Sequence, residues 1–289
     1  MQGGLRGLRD LAELAKLKIS LLSTLSAATG FVAASRELRP PLAATLGGTL
    51  LLAAAAAALN EVLDRERDAL MVRTRTRPIP AGRLGVAPAL GFVALGASGG
   101  AALLAAGAGP LPALLGLAAL LWYDAVYTPL KRVTAFAVLP GALVGALPPA
   151  IGWTAAGGAL SDGRLHALCV FFLLWQVPHF WLLALRHADD YRRAGLPTPA
   201  SRFSPAQMGR ITVAWALATL AFTLLLPVFG VTRSAGAAFA LVAAAALLGP
   251  SMLALLGAGE RPEPLRRGLL AVNGVALTVM ILVCADALR

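Results

Sequence analysis

Charge is scarce in this chain of 289 residues, with Asp, Glu, Lys and Arg making up 13% of it, about half the share of an ordinary soluble domain. That shortage excludes a water-soluble globular fold. Cysteine is scarcer still: Cys169 and Cys284 form no Cys-x-x-Cys, zinc or covalent haem-attachment pattern, so a disulfide scaffold is excluded and both read as buried thiols. Bases outnumber acids, 25 to 14. Long polar or low-complexity tracts are missing, which excludes a disordered chain. What is abundant is hydrocarbon: hydrophobic residues reach 58% with a mean hydropathy of +0.76, so the bilayer is the solvent.

Apolar runs of membrane-spanning length predict nine helices, at about 18–35, 41–63, 88–108, 111–127, 137–157, 165–187, 207–230, 233–257 and 267–288. The expectation is an all-α polytopic membrane protein of one domain, 1–289, with its chemistry in polar loops at about 60–87 and 186–206. Pro40-Pro41 and Gly109-Pro110 mark junctions, and Gly249-Pro250 marks either a junction or a kink. The first apolar run follows Lys16 and Lys18 and is long enough to span, which argues against a cleaved signal peptide. All but five of the 25 lysines and arginines fall on the side that holds the amino terminus; Arg36, Arg39, Arg164, Arg233 and Arg289 remain on the other. The positive-inside bias then puts the amino terminus and both polar loops in the cytoplasm and the carboxyl terminus outside, across a bacterial inner membrane. Loops that flank anionic lipid account for the net charge of +11 better than nucleic acid does.

The second span ends in Asn60-Glu61-Val62-Leu63-Asp64-Arg65-Glu66-Arg67-Asp68. Residues four apart on a helix turn by only about 40° and rise ~6 Å, so Asn60, Asp64 and Asp68 form one polar stripe. Such a row suits Mg²⁺, which takes few protein oxygens and completes its shell with water and phosphate. The other reading is a solvated helix end whose acids pair with Arg65 and Arg67. Next comes a basic loop, Arg73-Thr74-Arg75-Thr76-Arg77-Pro78-Ile79-Pro80, whose guanidiniums suit phosphate oxygens. Lys131 and Arg132 face the same side, either as diphosphate ligands or as orienting charges. Gly141 and Gly145 read as close helix packing, and Pro148-Pro149 predict a break inside the fifth span.

Asn-x-x-x-Asp-x-x-x-Asp followed by Arg-Thr-x-x-Arg-Pro resembles the first signature of the UbiA superfamily of intramembrane prenyltransferases. Two further clusters, Tyr127-Thr128-Pro129-Leu130-Lys131-Arg132 and Trp175-Gln176-Val177-Pro178-His179-Phe180, are most similar to the haem-modifying branch of that superfamily. The resemblance runs from about Asn60 to Pro197. It implies a UbiA-type helical bundle with a central apolar cavity, and transfer of a farnesyl group from farnesyl diphosphate to a vinyl group of haem B. In that reading Asp64, Asp68 and Asp190 are catalytic and, with Asn60, hold Mg²⁺ as the divalent cation. Arg73, Arg77, Lys131, Arg132 and Arg193 bind diphosphate. The implied partners are both substrates, membrane lipid, and a haem-handling protein or haem A synthase. Two departures stand out: Arg186 occupies the position four before Asp190 where other branches carry an aspartate, and Thr198-Pro199-Ala200 replaces the branch's usual Met-Leu-Pro-Val.

Histidine is the commonest haem-iron ligand, and the chain has three. His179 and His187 are the haem candidates. His179, in mid-span, is either an iron ligand or a hydrogen-bonded structural group; His187 is alternatively an acid–base or phosphate contact. His166 falls at the opposite membrane edge. Rival functions are a UbiA-type enzyme acting on an aromatic quinone precursor and, from another class, a transporter or haem carrier.

Overall fold

The computed structural model describes residues 2–257 and 261–289, leaving aside the side chains of residues 2–6 and Ala200. The side chain of Arg6, counted above among the orienting charges, lies outside this description. A helix, α1 (Gln2–Leu14), precedes the first span. The spans are α2 (Leu17–Ser35), α3 (Pro41–Leu70), α4 (Val86–Ala108), α5 (Pro110–Leu130), α6 (Val138–Ala155), α7 (Gly163–Arg186), α9 (Pro205–Leu225), α10 (Ala235–Gly257) and α11 (Pro262–Ala287). Between α7 and α9 lies the short α8 (Ala188–Arg193). Nine helices long and apolar enough to cross a membrane are thus present among the described residues, as expected, and no strand is.

Small residues set how closely these helices approach. A Cβ on Gly152 would lie 1.8 Å from the Ala27 carbonyl oxygen, and one on Gly30 would lie 2.0 Å from that of Pro149, so α2 and α6 touch backbone to backbone. Gly48 and Gly100 do the same for α3 and α4. The main core lies around α7, where Phe171, Phe172, Trp181 and Leu182 pack on Trp153, Met208 and the α11 face of Val272, Val275 and Val279. Leu95, Leu114, Phe239 and Leu247 point outward and are exposed, as a lipid-facing surface requires.

Two details depart from expectation. Pro148 and Pro149 lie inside an unbroken helix from Leu143 to Ala155, and the break falls upstream at Ala142. A proline displaces the carbonyl four residues before it, so the distortion appears a turn ahead of the prolines. Gly249-Pro250, by contrast, lies inside α10, the second of the two alternatives that its sequence left open. The amphipathic α1 was not expected as a helix; it ends on Leu14, which is wholly buried against Val62 and Ile79, and the chain turns at Lys16, φ +44°, into α2.

Candidate active site

Helix α3 continues unbroken to Leu70, which carries Asn60, Asp64 and Asp68 as one buried stripe. Apart from one bond between Asn60 and Asp64, their side-chain partners come from other elements, and Arg65 turns instead to Glu66. Asp64 pairs with Lys131 and accepts from Arg132 at 3.2 Å. Asp68 accepts from Arg77 at 2.6 Å. Asn60 donates to Thr128 Oγ1 at 2.9 Å and to Asp64 at 3.2 Å, while its carbonyl oxygen accepts from Lys16 Nζ at 3.2 Å. Lys131 and Arg132 thus neutralise Asp64 from the turn after α5. The stripe and the expected diphosphate bases Arg77, Lys131 and Arg132 form one cluster.

The basic loop is held in shape from three directions. Thr74, fully buried, donates to the Asp68 carbonyl oxygen at 2.9 Å. Glu61, also fully buried, accepts from the Ile79 N–H at 3.1 Å. Asp190 on α8 accepts from the N–H groups of Val72 at 2.8 Å and Arg73 at 3.3 Å, and pairs with Arg193. Burial pushes the Asp190 carboxyl up, but these donors together outweigh it and leave the pKa below the ordinary carboxylate value. On the outer side Arg83 bonds Asp10 and Glu13 of α1 and the Thr76 carbonyl oxygen. The α1 helix thereby straps the loop.

Asp190 and Arg193 thus stand at the loop's far end, while the side chain of Arg73 is exposed. Tyr191 follows Asp190 on α8, and burial raises the pKa of its phenol, with Arg73 and Arg77 opposing and Asp68 and Asp64 adding to it. His187 closes α7; burial, then Arg73 and Arg186, lower its pKa, with Asp190 opposing.

His179 lies apart from the acids but connected to them by rings. Its Nδ1 is 2.8 Å from Asn273 Oδ1 on α11, so Nδ1 carries the proton and Nε2 keeps a lone pair. Phe180 stands 5.3 Å from His179 and 6.2 Å from Tyr127, centroid to centroid, and Tyr127 stacks on Tyr123 at 5.6 Å. The Lys131 ammonium lies 5.6 Å from the Tyr127 centroid. A π-helical turn, Trp122–Tyr127, inserts an extra residue into α5 and aims these tyrosines inward. Gly141 leaves room for the Tyr127 ring, which a Cβ there would meet at 2.5 Å.

Sequence reasoning gave Lys16 only an orienting role and Asp124 none. Lys16 reaches Asn60 across 44 positions, and burial, with Arg77 next, lowers its pKa to about 8. Asp124 is 4% exposed with neither carboxylate oxygen hydrogen-bonded. Among the described residues no three His, Cys, Asp or Glu side chains converge as a ready-made metal cluster. Asn60, Asp64 and Asp68 offer hard oxygens suited to a cation that depends on one or two carboxylates and on ligand oxygens for the rest of its shell.

Residues 21–281 match the model of the UbiA prenyltransferase family. The chain is 51% identical over 218 residues to the protoheme IX farnesyltransferase of Geobacter sulfurreducens, covering 74% of this chain and 78% of that protein. It is 38% identical to the enzyme of the same name from Oleidesulfovibrio alaskensis, over 94% of both chains. Its fold is similar to that of a UbiA homologue from Archaeoglobus fulgidus bound to GPP and Mg²⁺, with a TM-score of 0.65, 13% identity, and coverage of 96% of this chain and 99% of that one.

Proposed function

The chain belongs to the UbiA prenyltransferase family, and from that premise we propose that it transfers the farnesyl group of farnesyl diphosphate to a vinyl group of haem B. The allylic carbon–oxygen bond breaks, a carbon–carbon bond forms to one vinyl carbon, water adds its hydroxyl to the other and loses a proton, and diphosphate leaves. The observation that carries this reading is the row of rings from the Lys131–Asp64 pair through Tyr127 and Phe180 to His179. An aromatic quinone precursor has no use for a histidine that Asn273 orients with a free ring nitrogen.

A divalent cation, Mg²⁺, held by Asp64 and Asp68 with Asn60 beside them, would neutralise charge that develops on the leaving diphosphate. Arg77, Lys131, Arg132 and Lys16 supply the remaining positive charge at the same end. Asp190 keeps the basic loop in register through the Val72 and Arg73 amides, and Arg73 and Arg193 extend the cationic rim. The faces of Tyr127 and Phe180 stabilise the allylic cation along its path to the acceptor, while lipid-facing helices exclude water. His179 ligates the haem iron in this reading, and His187 contacts substrate at the loop. The whole chain acts as one domain, with the amino terminus and both loops cytoplasmic in a bacterial inner membrane, where a haem-handling protein or haem A synthase would meet it.

Haem B titrated into the purified protein tests the acceptor. A ligand-shifted Soret band is expected in the wild type, lost in His179→Ala and blunted in Asn273→Ala. A spectrum identical in all three removes His179 from the iron. If aromatic precursors then suppress consumption of the allylic diphosphate while haem does not, the quinone-type reading takes its place.

A further inference from the structure

Thr128 is the residue after the π-helical turn, and it is wholly buried beside the polar stripe. Its hydroxyl donates to the Tyr123 carbonyl oxygen at 2.9 Å, five positions back. The same carbonyl takes the Thr128 backbone N–H. A hydroxyl has a single proton to give, so toward Asn60 the Thr128 oxygen acts only as an acceptor. The end of the Asn60 amide that meets it, at 2.9 Å, is therefore the NH₂ group. Asp64 accepts from the same NH₂ group at 3.2 Å, and Lys16 Nζ donates to the Asn60 carbonyl oxygen at 3.2 Å. Three partners from three elements thus agree on the orientation of one amide.

A cation that draws on Asp64 and Asn60 changes two of these three partners. It competes with the Asn60 N–H for Asp64, whose oxygens already answer Lys131 and Arg132, and it takes the Asn60 oxygen from Lys16. The Thr128 hydroxyl, uncharged and with its proton on Tyr123, enters neither exchange. It alone holds the amide while the other two contacts change. We propose, on the cation reading of the stripe given above, that Thr128 is a positioning residue for the divalent cation: by accepting from the Asn60 NH₂ it keeps the Asn60 oxygen available as a ligand. A group that orients a metal ligand in this way commonly governs metal affinity by about 10–100-fold.

Mn²⁺ as the probe tests this without turnover. The purified full-length protein is titrated with Mn²⁺ in the presence of farnesyl thiolodiphosphate, an unreactive substrate analogue, and free Mn²⁺ is followed by electron paramagnetic resonance. Thr128→Val keeps the shape and removes the acceptor, and its Mn²⁺ affinity is expected to fall by about tenfold. Thr128→Ala carries the same expectation where valine packs poorly. Thr128→Ser, which restores the hydroxyl, is expected to bind as the wild type does. In an Asn60→Ala background Thr128→Val should cost nothing further, since the contact it removes is already absent. Thr128→Val that binds Mn²⁺ like the wild type, or that weakens binding equally with and without Asn60, overturns the positioning role and leaves the cation at the stripe. Mn²⁺ binding that is indifferent to Asp64→Asn overturns the cation reading itself, and Thr128's role with it.

Discussion

Asp64 answers two bases at once, Lys131 and Arg132, while Asp68 answers Arg77. Acids and bases interleaved in this way neutralise one another at rest; in the proposed function they part to receive a cation and a diphosphate together. Removing one carboxylate leaves buried positive charge uncompensated and the cation half-held. Asp64→Asn is therefore expected to lower turnover by about 10²–10³, the cost of one lost electrostatic stabiliser, with the helical circular dichroism spectrum unchanged. Turnover within a factor of about two of wild type would remove Asp64 from the chemistry. Glu61 differs in kind: it supports the Ile79 amide, so Glu61→Ala strands a buried N–H at a cost of about 1–3 kcal/mol and lowers the melting temperature. These roles were unequally legible. Asn60, Asp64 and Asp68 share one helix face, so their spacing alone announced the stripe. Lys16 meets Asn60 from 44 positions away and Asp190 meets Val72 from 118; such pairings are set by how helices pack, which spacing does not encode.

Elements that approach by backbone contact leave a sharper prediction. Gly152→Ala drives a methyl into the Ala27 carbonyl, and overpacking of this kind costs about 1–3 kcal/mol or more. Gly91, in α4, has nothing within 4 Å of its Cβ position, so Gly91→Ala is expected to be neutral or to gain about 0.5–1 kcal/mol. Thermal melts of the two variants moving in the same direction would contradict the packing account. The α1 strap adds a pH dependence. The Arg83 hydrogen bond, with Arg9 assisting, holds the Glu13 pKa below its ordinary value. A depressed carboxyl contributes stability above its unfolded pKa and loses it as pH falls through the folded one. Hydrogen exchange over residues 7–14 should therefore rise on acidification, and Arg83→Gln should raise it already at neutral pH. Exchange that ignores both leaves the strap without its ion pairs. The spans were legible because hydrocarbon length fixes them, whereas α1 was not, being too short and too polar for that signal. The break in α6 was legible in cause but misplaced by a turn.

At the scale of the whole molecule, one bundle carries two unlike polar faces. One holds the acids, the basic loop and the strap; the other holds few charges, with Arg39 paired to Glu37, Arg164 to Asp162, and Asp286 on the Arg233 and Ser234 amides. Between them the ring row leads from the diphosphate end toward His179. In the proposed function this division places leaving group, allylic chain and acceptor at successive depths of one enzyme, which makes the acceptor the quantity to measure. The direct test is to incubate the purified protein with haem B, farnesyl diphosphate and Mg²⁺ and to analyse the porphyrin by mass spectrometry. The account predicts a haem that has gained one farnesyl group and one hydroxyl across a vinyl group, absent when Mg²⁺ is chelated and strongly reduced in Asp64→Asn. Unmodified haem alongside consumed farnesyl diphosphate, with an aromatic acceptor prenylated in its place, would contradict it.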